Sequence, residues 1–287
     1  MIWSDFSKLI KLRLTFLVTF SASISFLIGS KVNGEIVWGK WFMLIVGGFL
    51  VTSAANTFNE IIEKDLDKLM RRTADRPIPA GRMTTGQGLV LGLFMAIFGI
   101  ILLGKLNPTA GYLSIFSILL YAFAYTPLKR KSAIAVFVGA IPGALPPLIG
   151  YVAAHPKIDE IALIMFGIQF VWQFPHFWAI AWVLDDDYKL AGFRLLPSGK
   201  RDTVSAVFAF VSTVILLPVS LLPTYYGYGG YYVGVVSLII SLVFLYQGTM
   251  LMLKRDIKSA KSLMYGSFLY LPVVQLMFLF DFIGKVK

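Results

Sequence analysis

Nine apolar segments, each long enough to cross or nearly cross a lipid bilayer, run through this chain of 287 residues. A membrane-spanning helix needs about 20 mostly apolar residues, because the hydrocarbon core of a bilayer is about 30 Å thick. The segments are residues 14–29, 41–58, 89–106, 110–125, 133–154, 161–184, 204–222, 232–253 and 263–283. We therefore predict an all-α fold, with nine transmembrane helices in a single bundle around a central cavity, and one membrane domain covering residues 1–287.

The composition excludes several classes of protein. Hydrophobic residues make up 57% of the chain and charged residues only 14%, well below the charged share of a soluble domain. The absence of cysteine excludes disulfides, thiolate metal sites and a cysteine nucleophile. The N-terminal residues lack a compact apolar core followed by a cleavage site, so we expect no removable signal peptide.

The positive charge of the chain follows the expected membrane topology. A net charge of +11 is typical of nucleic-acid binding, but basic cytoplasmic loops explain it more simply, so we expect the lipid bilayer and no nucleic acid as a partner. If the N-terminus is cytoplasmic, the cytoplasmic segments hold twenty of the 26 Lys and Arg residues. We therefore predict a multi-pass protein of the cell (inner) membrane, with the N-terminus cytoplasmic and the C-terminus outside.

An acidic and basic stretch follows the second apolar segment. Asn59, Glu63 and Asp67 are four residues apart, so on a helix they share one face. Three oxygen-bearing side chains on one face suit Mg²⁺, which prefers oxygen ligands and keeps part of its coordination shell for phosphate. The basic residues that follow, among them Arg72 and Arg76, are suited to hold a phosphate anion. The alternative is a solvated loop whose positive charge serves only topology.

A second acidic cluster lies on the same predicted side of the membrane. Asp185, Asp186 and Asp187 follow the sixth segment, four segments after the first cluster, as expected if the chain contains two similar halves. Three consecutive acids on a helix do not all face one way, so at most two serve one metal. We expect the others to be solvated or to pair with Lys189 or Arg194.

Basic residues in two further segments fall at the same end of the bundle. Lys129 and Arg130 lie between the fourth and fifth segments, and Lys11 and Arg13 precede the first. One interpretation is again topology. The other is a clamp that binds diphosphate through charge-assisted hydrogen bonds.

The sixth segment carries polar residues on one helical face. Gln169, Gln173 and His176 form this stripe, and Trp172 is among the aromatic residues around His176. Unpaired polar groups are costly in a bilayer, so the stripe should face the bundle interior. His176 is either a ligand or proton carrier, or only a hydrogen-bond donor between helices. We also expect the prolines of residues 141–147 to break the fifth segment.

These motifs resemble those of a known superfamily over nearly the whole chain. The pattern NxxxExxxD at 59–67, followed by MxRTxxRP at 70–77, resembles the first motif of the UbiA-type intramembrane prenyltransferases. The segments YTPLKR and WQFPHFWAIAWVLDDDYKLAGFRLLP are similar to the branch of this superfamily that prenylates heme. Two departures are that Glu63 replaces the aspartate of many relatives, and that DDDYxxAG replaces DxxxD.

The resemblance implies an enzyme that transfers a farnesyl group from farnesyl diphosphate to a vinyl group of heme B, giving heme O, with Mg²⁺ as cofactor. It implies heme A synthase or cytochrome oxidase assembly proteins as partners. The site residues expected on this basis fall into three groups. The catalytic residues are Asn59, Glu63, Asp67, Asp186 and Asp187, and all of these except Asp186 are also metal ligands. The residues expected to bind diphosphate are Arg13, Arg72, Arg76, Lys129 and Arg130. The residues expected to bind heme are Trp172 and His176.

Two other functions fit the same sequence. One is prenylation of a quinone precursor or another lipid acceptor, which would use the same diphosphate site. The other is a membrane transporter or heme-handling protein. The outer half of the predicted bundle offers almost no ionisable residues, which argues against a transport path for charge.

Overall fold

The structure of the protein is a computed structural model that describes residues 3–284, and these residues are mainly helical. The helices are α1 (Trp3–Leu9), α2 (Leu12–Asn33), α3 (Trp38–Asp67), α4 (Thr85–Leu106), α5 (Pro108–Leu128), α6 (Ala135–Ala154), α7 (Glu160–Val183), α8 (Asp185–Leu190), α9 (Thr203–Tyr225), α10 (Tyr231–Lys254) and α11 (Ile257–Phe280).

Nine helices in the described part of the chain are long and apolar enough to cross a membrane, and α1 and α8 are the two short ones. Each of the nine coincides with one of the predicted segments, so the predicted fold class is confirmed. The largest difference lies in α3, which continues nine residues beyond the predicted segment, to Asp67. This extension places Asn59, Glu63 and Asp67 on the same regular helix as the membrane span.

The helices pack mainly against their neighbours in sequence, and the last one returns to the first. Contacts connect α2 to α3, α3 to α4, and so on around the bundle, and α11 packs against α2. In addition, α2 packs closely against α6. Close approach there depends on Gly150, because a Cβ atom at this position would overlap the carbonyl oxygen of Ala22. Small residues allow such backbone contact between membrane helices.

The predicted break in the fifth span is wrong, because α6 is continuous from Ala135 to Ala154 with three prolines inside it. A proline removes the hydrogen bond to the carbonyl four residues earlier. For Pro147 that carbonyl belongs to Gly143, and it accepts a hydrogen bond of 2.7 Å from Gln169 Nε2. A neighbouring helix therefore satisfies the backbone group that the proline frees, and the helix continues.

We expect Gly150→Ala to lower the thermal unfolding midpoint of the detergent-solubilised protein, because the added methyl group forces α2 and α6 apart at a cost of about 1–3 kcal/mol. Gly104→Ala is the matched control, since a Cβ atom at Gly104 meets nothing within 4 Å. The control should be neutral or slightly stabilising. Equal midpoints for the two variants would show that the close contact is unimportant.

Candidate active site

Three polar side chains on the last turns of α3 form the centre of the candidate site. Asn59, Glu63 and Asp67 are all buried, as a shared helical face predicts. The Asn59 Nδ2 atom donates to Glu63 Oε2 at 2.9 Å and to Thr126 Oγ1 at 3.0 Å. The three side chains of α3 lie at the end of the bundle where α2 begins and α3 ends. We call this end of the bundle the polar end.

Three basic side chains from separate segments pair with this row. Lys129 Nζ lies 2.7 Å from Glu63 Oε1, and Arg76 Nη1 lies 2.6 Å from Asp67 Oδ2. Lys11 Nζ donates to Asn59 Oδ1 at 2.6 Å. Three basic side chains therefore converge on this row, a set of donors that suits an anionic ligand. We call these six residues the polar cluster.

Lys11 reaches the polar cluster from a sharp break in the chain. It lies between α1 and α2 with φ 50° and ψ 56°, a left-handed conformation that costs a residue other than glycine about 1–3 kcal/mol. Burial, with repulsion from Arg76 and Lys129, lowers the pKa of the Lys11 amine well below its ordinary value. Strained backbone and a desolvated charge occur together where a protein preorganises a binding site.

A π-helical turn in α5 brings a further hydroxyl group to Asn59. The turn spans Leu120–Tyr125, and Thr126, the next residue, donates through Oγ1 to the Tyr121 carbonyl oxygen at 2.8 Å. Single π-helical turns are often found at functional sites. The turn also positions Lys129, whose Nζ atom lies 4.9 Å from the centre of the Tyr125 ring. Sequence analysis did not predict Thr126 as a site residue. The only signal for it in the sequence is its position directly before Pro127.

The three acids that open α8 have different partners. Asp185 is buried and pairs with Lys189 at 2.7 Å, one of the two partners the sequence predicts. Asp186 is exposed and contacts Arg201 through both carboxylate oxygens. Asp187 accepts a hydrogen bond of 2.9 Å from the backbone N–H of Arg71. Asp187 thus joins α8 to the loop that follows α3, whereas Asp186 pairs with Arg201 at the surface.

The predicted diphosphate residues also separate into two groups. Arg76 and Lys129 belong to the polar cluster, whereas Arg13, Arg72 and Arg130 are exposed. Sequence analysis assigned Lys11 and Arg13 the same role. In the structure it is Lys11, and not Arg13, that lies beside Asn59. The break before α2 explains the difference, because it turns residue 11 inward and leaves residue 13 on the outer face of the helix.

The polar cluster adjoins a mainly apolar cavity of about 270 Å³ in the middle of the bundle. Its walls come from α2, α3, α5, α6, α7 and α11, and they include the stripe residues Gln169, Gln173 and His176. Gln169, Ser21 and Gln275 are joined by hydrogen bonds of 2.7–2.9 Å and connect three helices. The stripe therefore faces the bundle interior, as the cost of unpaired polar groups in a bilayer predicts.

Among residues 3–284, His176 has a hydrogen-bond partner for the ring nitrogen Nδ1 and none for Nε2. Its Nδ1 atom lies 2.7 Å from Ser267 Oγ, and that hydroxyl donates its only hydrogen to the Met264 carbonyl oxygen at 2.5 Å. The hydroxyl must then accept from Nδ1, which assigns the ring proton to Nδ1 and leaves a lone pair on Nε2. The ring of Trp172 stacks on the imidazole, with centroids 4.4 Å apart.

The donor set fits a hard divalent cation. The buried Asp67 Oδ1 atom has no hydrogen-bond partner among residues 3–284. Within those residues no three His, Cys, Asp or Glu side chains are close enough together to hold an ion. Mg²⁺ does not require such a cage, because it is usually bound by one or two carboxylates and by substrate phosphates. Asp67 and Glu63 provide those carboxylates.

Comparisons with known proteins agree with this geometry. The UbiA prenyltransferase family matches residues 17–272. Protoheme IX farnesyltransferase of Cytophaga hutchinsonii is 42% identical to this chain over 276 residues, which is 96% of each chain. Protoheme IX farnesyltransferase of Flavobacterium psychrophilum is 41% identical over 98% of this chain and 95% of its own. The chain belongs to the UbiA prenyltransferase family, and it is therefore a multi-pass membrane prenyltransferase.

Solved structures share the fold at low sequence identity. A digeranylgeranylglyceryl phosphate synthase superposes with a TM-score of 0.80 at 20% identity, covering 97% of both chains. A UbiA homologue from Archaeoglobus fulgidus, bound to DMAPP and Mg²⁺, superposes with a TM-score of 0.68 at 11% identity, covering 94% of this chain and 99% of its own.

We expect Asp67→Asn to lower prenyl-transfer turnover by at least about 100-fold, because it removes charge from the centre of the polar cluster where a leaving anion must be stabilised. Asp65→Asn is the matched control, since Asp65 lies on the same helix but is exposed and pairs only with Lys68. Turnover is measured on protein shown by gel filtration to be folded. Equal turnover of the two variants would remove Asp67 from the site.

Proposed function

We propose that this protein transfers the farnesyl group of farnesyl diphosphate to a vinyl group of heme B and so forms heme O. Its near full-length similarity to protoheme IX farnesyltransferases carries the proposal. The site supports it independently, because a cationic cluster suited to diphosphate adjoins an apolar cavity suited to a prenyl chain and a flat ring. We further propose that the polar end faces the cytoplasm, as the distribution of Lys and Arg favours.

The donor binds with its diphosphate at the polar cluster in this proposal. Lys11, Arg76 and Lys129 contact the diphosphate oxygens, and the exposed Arg13, Arg72 and Arg130 add positive charge around the entrance. Asn59, Glu63, Asp67 and Asp187 are the proposed metal ligands, with Asp186 nearby. Bound Mg²⁺ would neutralise charge on the leaving diphosphate. The ion pairs that the basic residues now make with Glu63 and Asp67 keep the charges compensated while no ligand is bound.

The acceptor lies in the apolar cavity beside His176 and Trp172. Leu14, Leu17 and Phe268 line the cavity and are each about half exposed, so it is accessible from the bilayer between α2 and α11. A porphyrin ring is largely apolar, which suits contact with the aromatic Trp172. The free Nε2 lone pair of His176 is suited to bind heme iron. The apolar walls also keep bulk water from an allylic cation.

The reaction is tested by mass spectrometry of heme extracted from cells that express the chain. We expect a product heavier than heme B by a farnesyl group plus a hydroxyl group. Prenylated quinone precursors with unmodified heme would identify the related lipid-prenylating activity instead. Unmodified heme and lipids, with no diphosphate released from farnesyl diphosphate, would contradict any transferase assignment and favour a transporter or heme-handling protein.

We expect His176→Ala to change the absorption spectrum of heme bound to the purified protein and to lower turnover by at least about tenfold, because the iron loses a ligand or the ring loses its orientation. Farnesyl diphosphate affinity should not change, since the polar cluster is intact. Ser267→Ala, which removes only the partner of Nδ1, should give a smaller effect in the same direction. An unchanged spectrum and full turnover for His176→Ala would restrict His176 to helix packing.

A further inference from the structure

Asn56 is a buried amide whose orientation is fixed by its neighbours. Its Nδ2 atom donates to the Ile10 carbonyl oxygen at 3.1 Å and to Thr15 Oγ1 at 3.2 Å. Thr15 Oγ1 itself donates to the same carbonyl at 2.6 Å, so toward Asn56 it is an acceptor. Both amide hydrogens of Asn56 are therefore engaged in hydrogen bonds. The carbonyl oxygen, Oδ1, takes no part in them and is available to accept from another donor.

The Oδ1 atom is a free acceptor at the boundary between the polar cluster and the cavity. Asn56 is 2% exposed and lines the cavity, and its Oδ1 atom has no hydrogen-bond partner among residues 3–284. It precedes Asn59 by three residues on α3, so the two lie on one face about 4.5 Å apart along the helix axis. A free acceptor in a largely apolar cavity is costly, and it binds a donor readily.

We propose that Asn56 Oδ1 holds the water molecule that is consumed in the transfer reaction, and so determines that the product carries a hydroxyl group. This inference rests on the proposed function. The vinyl π electrons form a bond to the first farnesyl carbon as its bond to diphosphate breaks. The carbocation left beside the porphyrin ring takes the oxygen of the water, and the departing diphosphate takes the water proton.

An amide oxygen suits this role better than a charged base. It accepts one O–H of the water and leaves an oxygen lone pair free for attack, and it is too weakly basic to remove a proton from the carbocation. A carboxylate at the same place would promote proton loss and give an alkene. The position next to Asn59 supplies the water where the bond to the farnesyl carbon forms, close to the diphosphate that accepts the proton.

The test measures two products of the purified, full-length enzyme supplied with heme B, farnesyl diphosphate and Mg²⁺ in water enriched in heavy oxygen. One product is labelled heme O, and the other is farnesylated heme that has lost a proton and is lighter by one water. We expect Asn56→Leu to shift the ratio of hydrated to unhydrated product toward the unhydrated one by about tenfold, the effect of losing one hydrogen bond to a reacting group.

Two further variants separate the water site from a general effect on the fold. Gln275→Leu also removes a cavity amide whose hydrogens are both used, but this amide lies deeper in the bundle, and the variant should keep the wild-type ratio. Thr15→Val removes one of the contacts that orient the Asn56 amide but leaves Asn56 Oδ1 in place, so it too should favour the hydrated product. If Asn56→Leu does not accumulate in the membrane, Asn56→Ala gives the same measurement, because alanine is smaller than asparagine and has the highest helix propensity.

Different results overturn the inference and the proposed function. No farnesylated heme from the wild-type enzyme contradicts the function itself. Wild-type heme O together with an unchanged product ratio in Asn56→Leu, or in its alanine replacement, contradicts the water site alone. A shift in Thr15→Val equal to that in Asn56→Leu assigns the effect to the lost contacts of the Asn56 amide, and this also overturns the inference.

Discussion

The structure depends on the pairing of two buried carboxylates with basic side chains at one end of a bundle that is mainly apolar. An unpaired charge in such surroundings costs several kcal/mol, so Glu63 and Asp67 are stable there only beside Lys129 and Arg76. The third basic side chain, Lys11, donates to the neutral Asn59. The loops and helix ends that carry these cations must therefore meet α3, and this requirement fixes how α2, α5 and the loop after α3 approach each other.

The polar groups deeper in the bundle follow a different rule, because each is neutral and most are satisfied within the protein. Gln169 compensates for the carbonyl that Pro147 frees, and Gln173 Nε2 donates to the Ala140 carbonyl oxygen at 2.9 Å. These side chains hold helices together. Asn56 Oδ1 and His176 Nε2 are acceptors without such a partner among residues 3–284, and both residues line the cavity. Some polar residues of the bundle interior thus hold helices together, whereas others are available to bind a ligand.

Sequence alone was sufficient for the fold and for one side of the site. The nine spans follow from apolar length, and the common face of Asn59, Glu63 and Asp67 follows from helical periodicity. The partners of these residues could not be predicted from the sequence, because they depend on the exact residues at which the helices end. Lys11 enters the cluster and Arg13 does not, as a result of a left-handed residue that no local pattern announces. Likewise, periodicity limits how many of Asp185–Asp187 share a metal, but only tertiary contacts show that Asp187 binds the loop after α3.

The order of polar residues along α3 matches the chemistry that the proposed reaction requires at each depth. Asp67 and Glu63 lie nearest the end of the helix, where charge is least costly and an anionic leaving group needs stabilisation. Asn59 and Asn56, further into the bundle, are neutral amides. A carbocation formed at their level would be quenched by an anionic base, whereas an amide oxygen only orients what approaches it. A change from carboxylate to amide within three helical turns therefore separates departure of the diphosphate from capture of the cation.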